Sequence, residues 1–193
     1  MPTKNLFPIK FYQAHIHKHK ESLGSLLDSA RHLLSDADGR WNCSVQTTFF
    51  EEKDVIAPDE LGDFLAPYLW QYFPDNVSIN VVNSWLNLYN KGHAQEAHNH
   101  VNFPDFVNFC GVIFIQFDPE TDGRFYFENM SDIHTVLGYT HIFEQSHVMM
   151  PEVKSGDLLL FPAFVRHGVM KQNNDTNRLT LSFNLSVTPA ELD

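Results

Sequence analysis

Apolar positions in the first part of the chain recur at helical spacing. Between Glu21 and Leu34, Leu23, Leu26, Leu27, Ala30, Leu33 and Leu34 fall close to a 3.6-residue period, which predicts a helix. A second helix is predicted from Pro58 to Phe73, with Leu61, Phe64, Leu65, Tyr68, Leu69 and Tyr72 on one side. Pro74 closes it. Pro67 falls inside and is expected to kink or split it, because proline has no amide donor for the preceding turn.

From Val77 onward the period shifts to two. Between Ile79 and Tyr89, the residues Asn83, Trp85, Asn87 and Tyr89 point one way, and Ser84, Leu86 and Leu88 the other. Val107 to Phe117 is a β-branched and aromatic run suited to a central strand. An Asp122-Gly123 turn signal precedes the strand-like Arg124 to Phe127. Further short strands are expected over 147–153, 157–162, 167–172 and 177–187. In the last of these Arg178, Thr180, Ser182 and Asn184 alternate with Leu179, Leu181, Phe183 and Leu185. Helices followed by many short strands predict a mainly β fold with flanking helices, a β-sandwich or jelly roll. The expected organisation is one domain over 1–193. A helical N-terminal part, 1–76, buttresses a jelly-roll core over 77–188.

Composition narrows the function classes. A chain of 193 residues with 43% hydrophobic content and 17 Phe can bury a core without disulfides. Its formal charge of -11, with no basic run, argues against a general nucleic-acid binder. Cys43 and Cys110 lack metal-type spacing, and a reducing compartment fits them. The start, Met1 to Asn5, has no apolar signal region, and no apolar run reaches membrane length. A cytoplasmic protein is expected, in the host cytoplasm if phage-encoded.

Candidate chemistry sits in two places. His98 and His100 are two residues apart, so on an extended strand both imidazoles project from one face and can share a metal. A solvated pair in a polar loop is the alternative. The second place is the Gly156 to Pro162 run, then His167, then, after ten intervening residues, Arg178. His167 offers a third imidazole, and three such ligands leave open positions on a metal such as iron. Arg178 offers a forked donor for a small carboxylate, with the Thr180 hydroxyl beside it. Trp85, Asn87 and Asn184 are candidate pocket-lining residues.

These residues resemble the Fe(II)- and 2-oxoglutarate-dependent dioxygenases. Their hallmark is His-x-Asp, a distal His, ten intervening residues, and then Arg-x-Ser. Here His167, Arg178 and Thr180 match the distal half, with Thr for Ser. Tyr89, Gly92 and His98 match the lead-in of the prolyl-hydroxylase-like members. Trp85, Gly92, His98, His100, Gly111, Gly156 to Pro162, His167 and Arg178 to Asn184 are similar to a group of 2-oxoglutarate oxygenases from marine bacteria and phages.

The resemblance covers about residues 80–187. It implies a double-stranded β-helix that binds Fe(II), 2-oxoglutarate and O2. Hydroxylation would release succinate and CO2. His98, His100 and His167 would hold the metal, and Arg178, Thr180 and Tyr89 the 2-oxoglutarate.

The family's carboxylate ligand falls at His100. Three readings stay open: His100 as a third imidazole, Asp105 reaching back from its loop, or neither. The likeness points to a peptide or protein side chain as substrate, which the sequence does not identify, nor does it give the oligomeric state. A cupin-like metalloenzyme without 2-oxoglutarate, or a non-catalytic jelly-roll module, are the other classes. The 128–148 segment, with His134, His141 and His147, is expected to be a loop or lid. His15, His17 and His19 read as a solvated basic stretch.

Overall fold

The cleanest alternating run becomes a central strand. In a computed structural model that describes residues 8–18, 21, 23, 24, 28, 31–37, 40–130, 138 and 146–190, this strand is β11, Arg178–Pro189. It pairs antiparallel with β4, Val77–Tyr89, on one side and β6, Phe109–Gln116, on the other. Beyond β6 lie β9, Asp157–Pro162, and β1, Tyr12–His15; beyond β4 lie β3, Gln46–Thr47, and β2, Ser35–Asp36. Together these make a seven-stranded sheet in the order β1-β9-β6-β11-β4-β3-β2. The second sheet has four strands: β5, Gln95–His98; β10, His167–Val169; β7, Phe125–Glu128; and β8, Val148–Met149. Two antiparallel sheets face to face form the jelly-roll core that the alternation predicts.

Strand parity decides what each face buries. Leu179, Leu181, Phe183 and Leu185 of β11 join Leu86, Ile113, Leu158 and Leu160 in one apolar core. That core is covered by α1, Pro58–Tyr72, through Leu61, Leu65 and Leu69. The opposite faces of these strands supply Cys110, Val112, Phe114, Leu159 and Phe161. With Phe125, Phe127 and Val169 of the smaller sheet they form a second core between the sheets. Arg178, Thr180, Ser182 and Asn184 share this inner side and are all buried.

Helix α1 runs unbroken through Pro67, against expectation. Pro67 is exposed, so the carbonyl that loses its partner stays with solvent. An interior proline costs about 3 kcal/mol, and each buried leucine contributes roughly 1.5–3 kcal/mol. The three leucines on the inner face therefore hold the helix.

The helical N-terminal buttress needs correction. The N-terminal part adds β1, β2 and β3 to the larger sheet, where they cover edges that β9 and β4 would otherwise expose. Its one described full-length helix is α1. Within the stretch predicted as helix over 21–34, Glu21, Leu23, Gly24 and Asp28 are helical and Arg31–Leu33 form a single 3-10 turn. Leu26, Leu27 and Ala30 lie outside the described residues. No helix among the described residues is long and apolar enough to cross a membrane. Cys110 is a buried thiol outside any disulfide.

Candidate metal centre

His98 closes β5 and His167 opens β10, and the two residues are direct partners across the smaller sheet. His100 follows two residues later, its backbone N–H held by the Ala163 carbonyl at 2.9 Å. The three rings converge, with centroids 4.5, 4.9 and 5.0 Å apart. One ligand atom from each lies within 4.8 Å of the others.

Hydrogen bonds on the outer nitrogens fix the tautomers. His98 Nδ1 lies 2.8 Å from the Glu96 carbonyl, His167 Nδ1 3.0 Å from the Val165 carbonyl, and His100 Nδ1 2.8 Å from Asn184 Oδ1. Each of these oxygens only accepts, so each Nδ1 carries the proton and each Nε2 keeps a lone pair. Asn184 is set by its own donation to Asn83 Oδ1 at 2.9 Å. Burial favours the neutral rings. It lowers His98, takes His100 down to about 4 with help from His98, and pushes His167 well below the usual range, with His100 and His98 adding to it. Three neutral imidazoles aimed at one point form a donor set for a divalent cation.

Asp105 lies elsewhere. It is exposed and accepts from Asn102 Nδ2 at 2.8 Å, outside the group of imidazoles. Of the two residues considered for the third position, the fold brings His100 to the cluster.

Arg178 is fully buried, which for a cation demands a reason. Its guanidinium carbon stacks 4.6 Å from the Tyr89 ring centroid and 5.5 and 5.6 Å from those of Phe114 and Phe117. None of its three side-chain nitrogens has a hydrogen-bond partner among the described residues. The Tyr89 hydroxyl donates to Gln95 Oε1 at 2.5 Å and, from beside the guanidinium, helps to hold its charge. Burial lowers the Arg178 pKa while Tyr89 and Asp122 oppose it, and burial pushes Tyr89 up to about 12. Asp122 is itself buried and committed. It accepts from the Asp118 N–H at 2.8 Å, Gln172 Nε2 at 2.7 Å and the Thr176 hydroxyl at 2.7 Å, which ties down the loop leading into Arg178.

Tyr89, Thr180 and the three histidines line one small cavity of about 20 Å³ between the sheets. Trp85 and Asn87 line it too. With its amide nitrogen donating to Thr47 Oγ1 at 2.9 Å, Asn87 accepts from Trp85 Nε1 and Ser182 Oγ, both at 3.2 Å. Asn87 therefore fixes Trp85. In front of the imidazoles a second, open pocket of about 290 Å³ is lined by Trp41, Phe49, Asn83, Trp85 and Glu96, and by Asn184.

Sequence reasoning missed Gln95, Trp41, Phe49 and Glu96. Strict alternation puts Glu96, not Gln95, on the side of His98. A register shift between His167 and Val169 opposes Gln95–His98 with one residue fewer on β10, and that brings Gln95 round to Tyr89. Trp41 and Phe49 come from the part expected to be helical, where nothing in the local pattern marks them. His134 and His141 lie outside the described residues, and His147 is exposed.

Residues 83–184 match the family described as "Putative 2OG-Fe(II) oxygenase". No curated protein matches the chain significantly. Among solved structures, HygX from Streptomyces hygroscopicus with nickel, 2-oxoglutarate and hygromycin B bound aligns with TM-score 0.61 at 14% identity. That alignment covers 92% of this chain and 83% of HygX. A Pseudomonas putida prolyl-4-hydroxylase aligns with TM-score 0.57 at 14% identity, covering 95% and 94%. The non-heme alpha ketoglutarate dependent epimerase SnoN from nogalamycin biosynthesis aligns with TM-score 0.60 at 13% identity, covering 94% and 81%. At such identities the likeness shows the shared fold.

Proposed function

This chain belongs to the 2OG-Fe(II) oxygenase family, and from that premise we propose that His98, His100 and His167 hold its iron while Arg178 receives the far carboxylate of 2-oxoglutarate. The observation that carries the reading is the buried Arg178 guanidinium, whose three nitrogens have no hydrogen-bond partner among the described residues, on the same inner side as the imidazole cluster. An isolated buried cation is costly, and a carboxylate is the ligand that offsets it best. A cupin-like site without 2-oxoglutarate gives this arginine no task.

When bound, iron and 2-oxoglutarate supply the oxidising chemistry of the family, consuming O2 and releasing succinate and CO2. The chain's own residues do the rest. The carbonyls of Glu96 and Val165 and the Asn184 amide hold the three Nδ1 protons outward, which keeps every Nε2 available for the metal. Thr180 and Tyr89 line the inner cavity and offer hydroxyls to the carboxylate. The cavity as it stands is about the size of one water molecule. Seating 2-oxoglutarate therefore requires the cavity to widen, and the Tyr89 hydroxyl, which donates to Gln95, can turn its proton to the incoming carboxylate. Phe125, Phe161 and Phe127 pack about His167 and keep solvent from that side. The reaction we propose is hydroxylation of a C–H bond in a substrate seated in the open pocket.

The test is succinate formation from 2-oxoglutarate with Fe(II) and O2, in wild type and in Arg178→Ala. Turnover at wild-type 2-oxoglutarate affinity in the variant would remove the carboxylate role. Absence of any 2-oxoglutarate binding by the Mn(II)-loaded wild type would remove the reading as a whole.

A further inference from the structure

The open pocket shares His98, His100 and Gln95 with the metal site, and its walls are chemically distinct from one another. One wall is a run of aromatic rings, tilted or edge to face on one another, leading inward. Trp41 stands 5.0 Å from Phe49, Phe49 5.0 Å from Trp85, and Trp85 5.5 Å from His100, centroid to centroid. Another wall is neutral amide, from Asn83, Asn99 and Asn102.

The lining's carboxylate is Glu96. Its Oε2 is buried and accepts no hydrogen bond from the described residues. Leaving a carboxylate oxygen dry and without a donor is expensive, and a cationic donor arriving with a ligand offsets that cost. Among the described residues no lysine or arginine lines the pocket, and the chain carries a formal charge of -11, so the pocket favours a cationic substrate over an anionic one.

Resting on the oxygenase reading above, we propose that the primary substrate is a saturated, hydroxylated ring bearing an ammonium group, of amino-sugar type. The ring packs against the aromatic wall of Trp41, Phe49 and Trp85, its hydroxyls meet the asparagine amides, and its ammonium reaches Glu96. Aromatic faces take up the C–H-bearing side of such a ring, and a cation near them gains further attraction. A pocket of about 290 Å³ suits a ligand of that size.

The test titrates the tryptophan fluorescence of the Mn(II)- and 2-oxoglutarate-loaded protein with three disaccharides: the diamine of chitobiose, its N-acetylated form, and cellobiose. The expected result is at least about tenfold tighter binding of the diamine, a difference of roughly 1.4 kcal/mol. Glu96→Gln brings the diamine down to the level of the other two. Trp41→Ala weakens all three sugars and keeps the diamine preference. Equal binding of the three disaccharides, an unchanged preference in Glu96→Gln, or tighter binding of a lysine-containing peptide overturns the proposal. Thermal shifts of the wild type with Mn(II) and with 2-oxoglutarate separate the two failures. Without those shifts the oxygenase reading falls; with them, and with no diamine preference, only the substrate class falls.

Discussion

His98 Nε2 and His100 Nε2 face each other at 3.0 Å with no proton between them, because each ring donates its Nδ1 proton outward. Two lone pairs at that distance repel, and burial together with the neighbouring ring resists relief by protonation. The arrangement is at ease once a cation stands between the nitrogens. Asn184, not a carboxylate, orients the third imidazole, so the three rings together form an uncharged donor set.

Asn184→Ala leaves the His100 Nδ1 proton without its acceptor and frees the ring to turn. Loss of such an outer-shell partner lowers metal affinity by about 10–100-fold. Titration with Co(II), followed by its visible absorption, measures this. Affinity equal to wild type would show that Asn184 does not set the ring.

Arg178→Met separates binding from folding. Removing a buried cation that has no hydrogen-bond partner among the described residues is expected to leave the apoprotein as stable as wild type or more so, since an apolar side chain fills the space without desolvation cost. The same change abolishes the Tm rise that 2-oxoglutarate gives to the Mn(II)-loaded wild type. Differential scanning fluorimetry with and without 2-oxoglutarate reads both effects, and a marked fall in apoprotein Tm contradicts the account of Arg178.

Gly111 tests the packing behind the site. A Cβ there would stand 2.2 Å from the Phe183 ring, which lies across the glycine on β6. Phe183 is fully buried among the leucines that hold α1 and cannot move aside cheaply. Gly111→Ala is therefore expected to destabilise by about 1–3 kcal/mol, visible as a lower urea midpoint.

Asp122 gives stability a sign with pH. Burial alone would raise its carboxyl, but hydrogen bonds from the Asp118 N–H, Gln172, Thr176 and Asn174 outweigh that and hold it below the usual 3.8. A depressed folded pKa contributes stability that is complete above the unfolded value and disappears as pH falls through the folded one. The Tm difference between wild type and Asp122→Asn should therefore be constant from pH 7 down to about 5 and shrink below about 4. A difference that grows on acidification contradicts the assignment.

Much of the site was legible because parity is local. The two-residue spacing of His98 and His100, and the alternation from Arg178 to Asn184, hold in any extended strand, so their shared faces followed without knowledge of the fold. The start of α1 was legible for the same reason, with Pro58 at the first turn ahead of leucines at helical spacing. Gln95 was not, because the register shift opposite it is a property of the pairing with β10 and leaves no mark in β5 alone. Nor were β1, β2 and β3, which are too short to show a period and exist because neighbouring strands offer open edges.

By itself the sequence determined the candidate residues for the chemistry: three imidazoles, one guanidinium, and the strands that present them. These depend on side-chain identity and on the two-residue repeat of extended backbone. Tertiary structure decided how they act together. It brought His100 rather than Asp105 to the other two imidazoles and buried Arg178 with no hydrogen-bond partner among the described residues. It also carried Trp41 and Phe49 from the N-terminal part to the mouth of the pocket. Those outcomes turn on distances between segments far apart in the chain, and only the packing of one sheet on the other sets them.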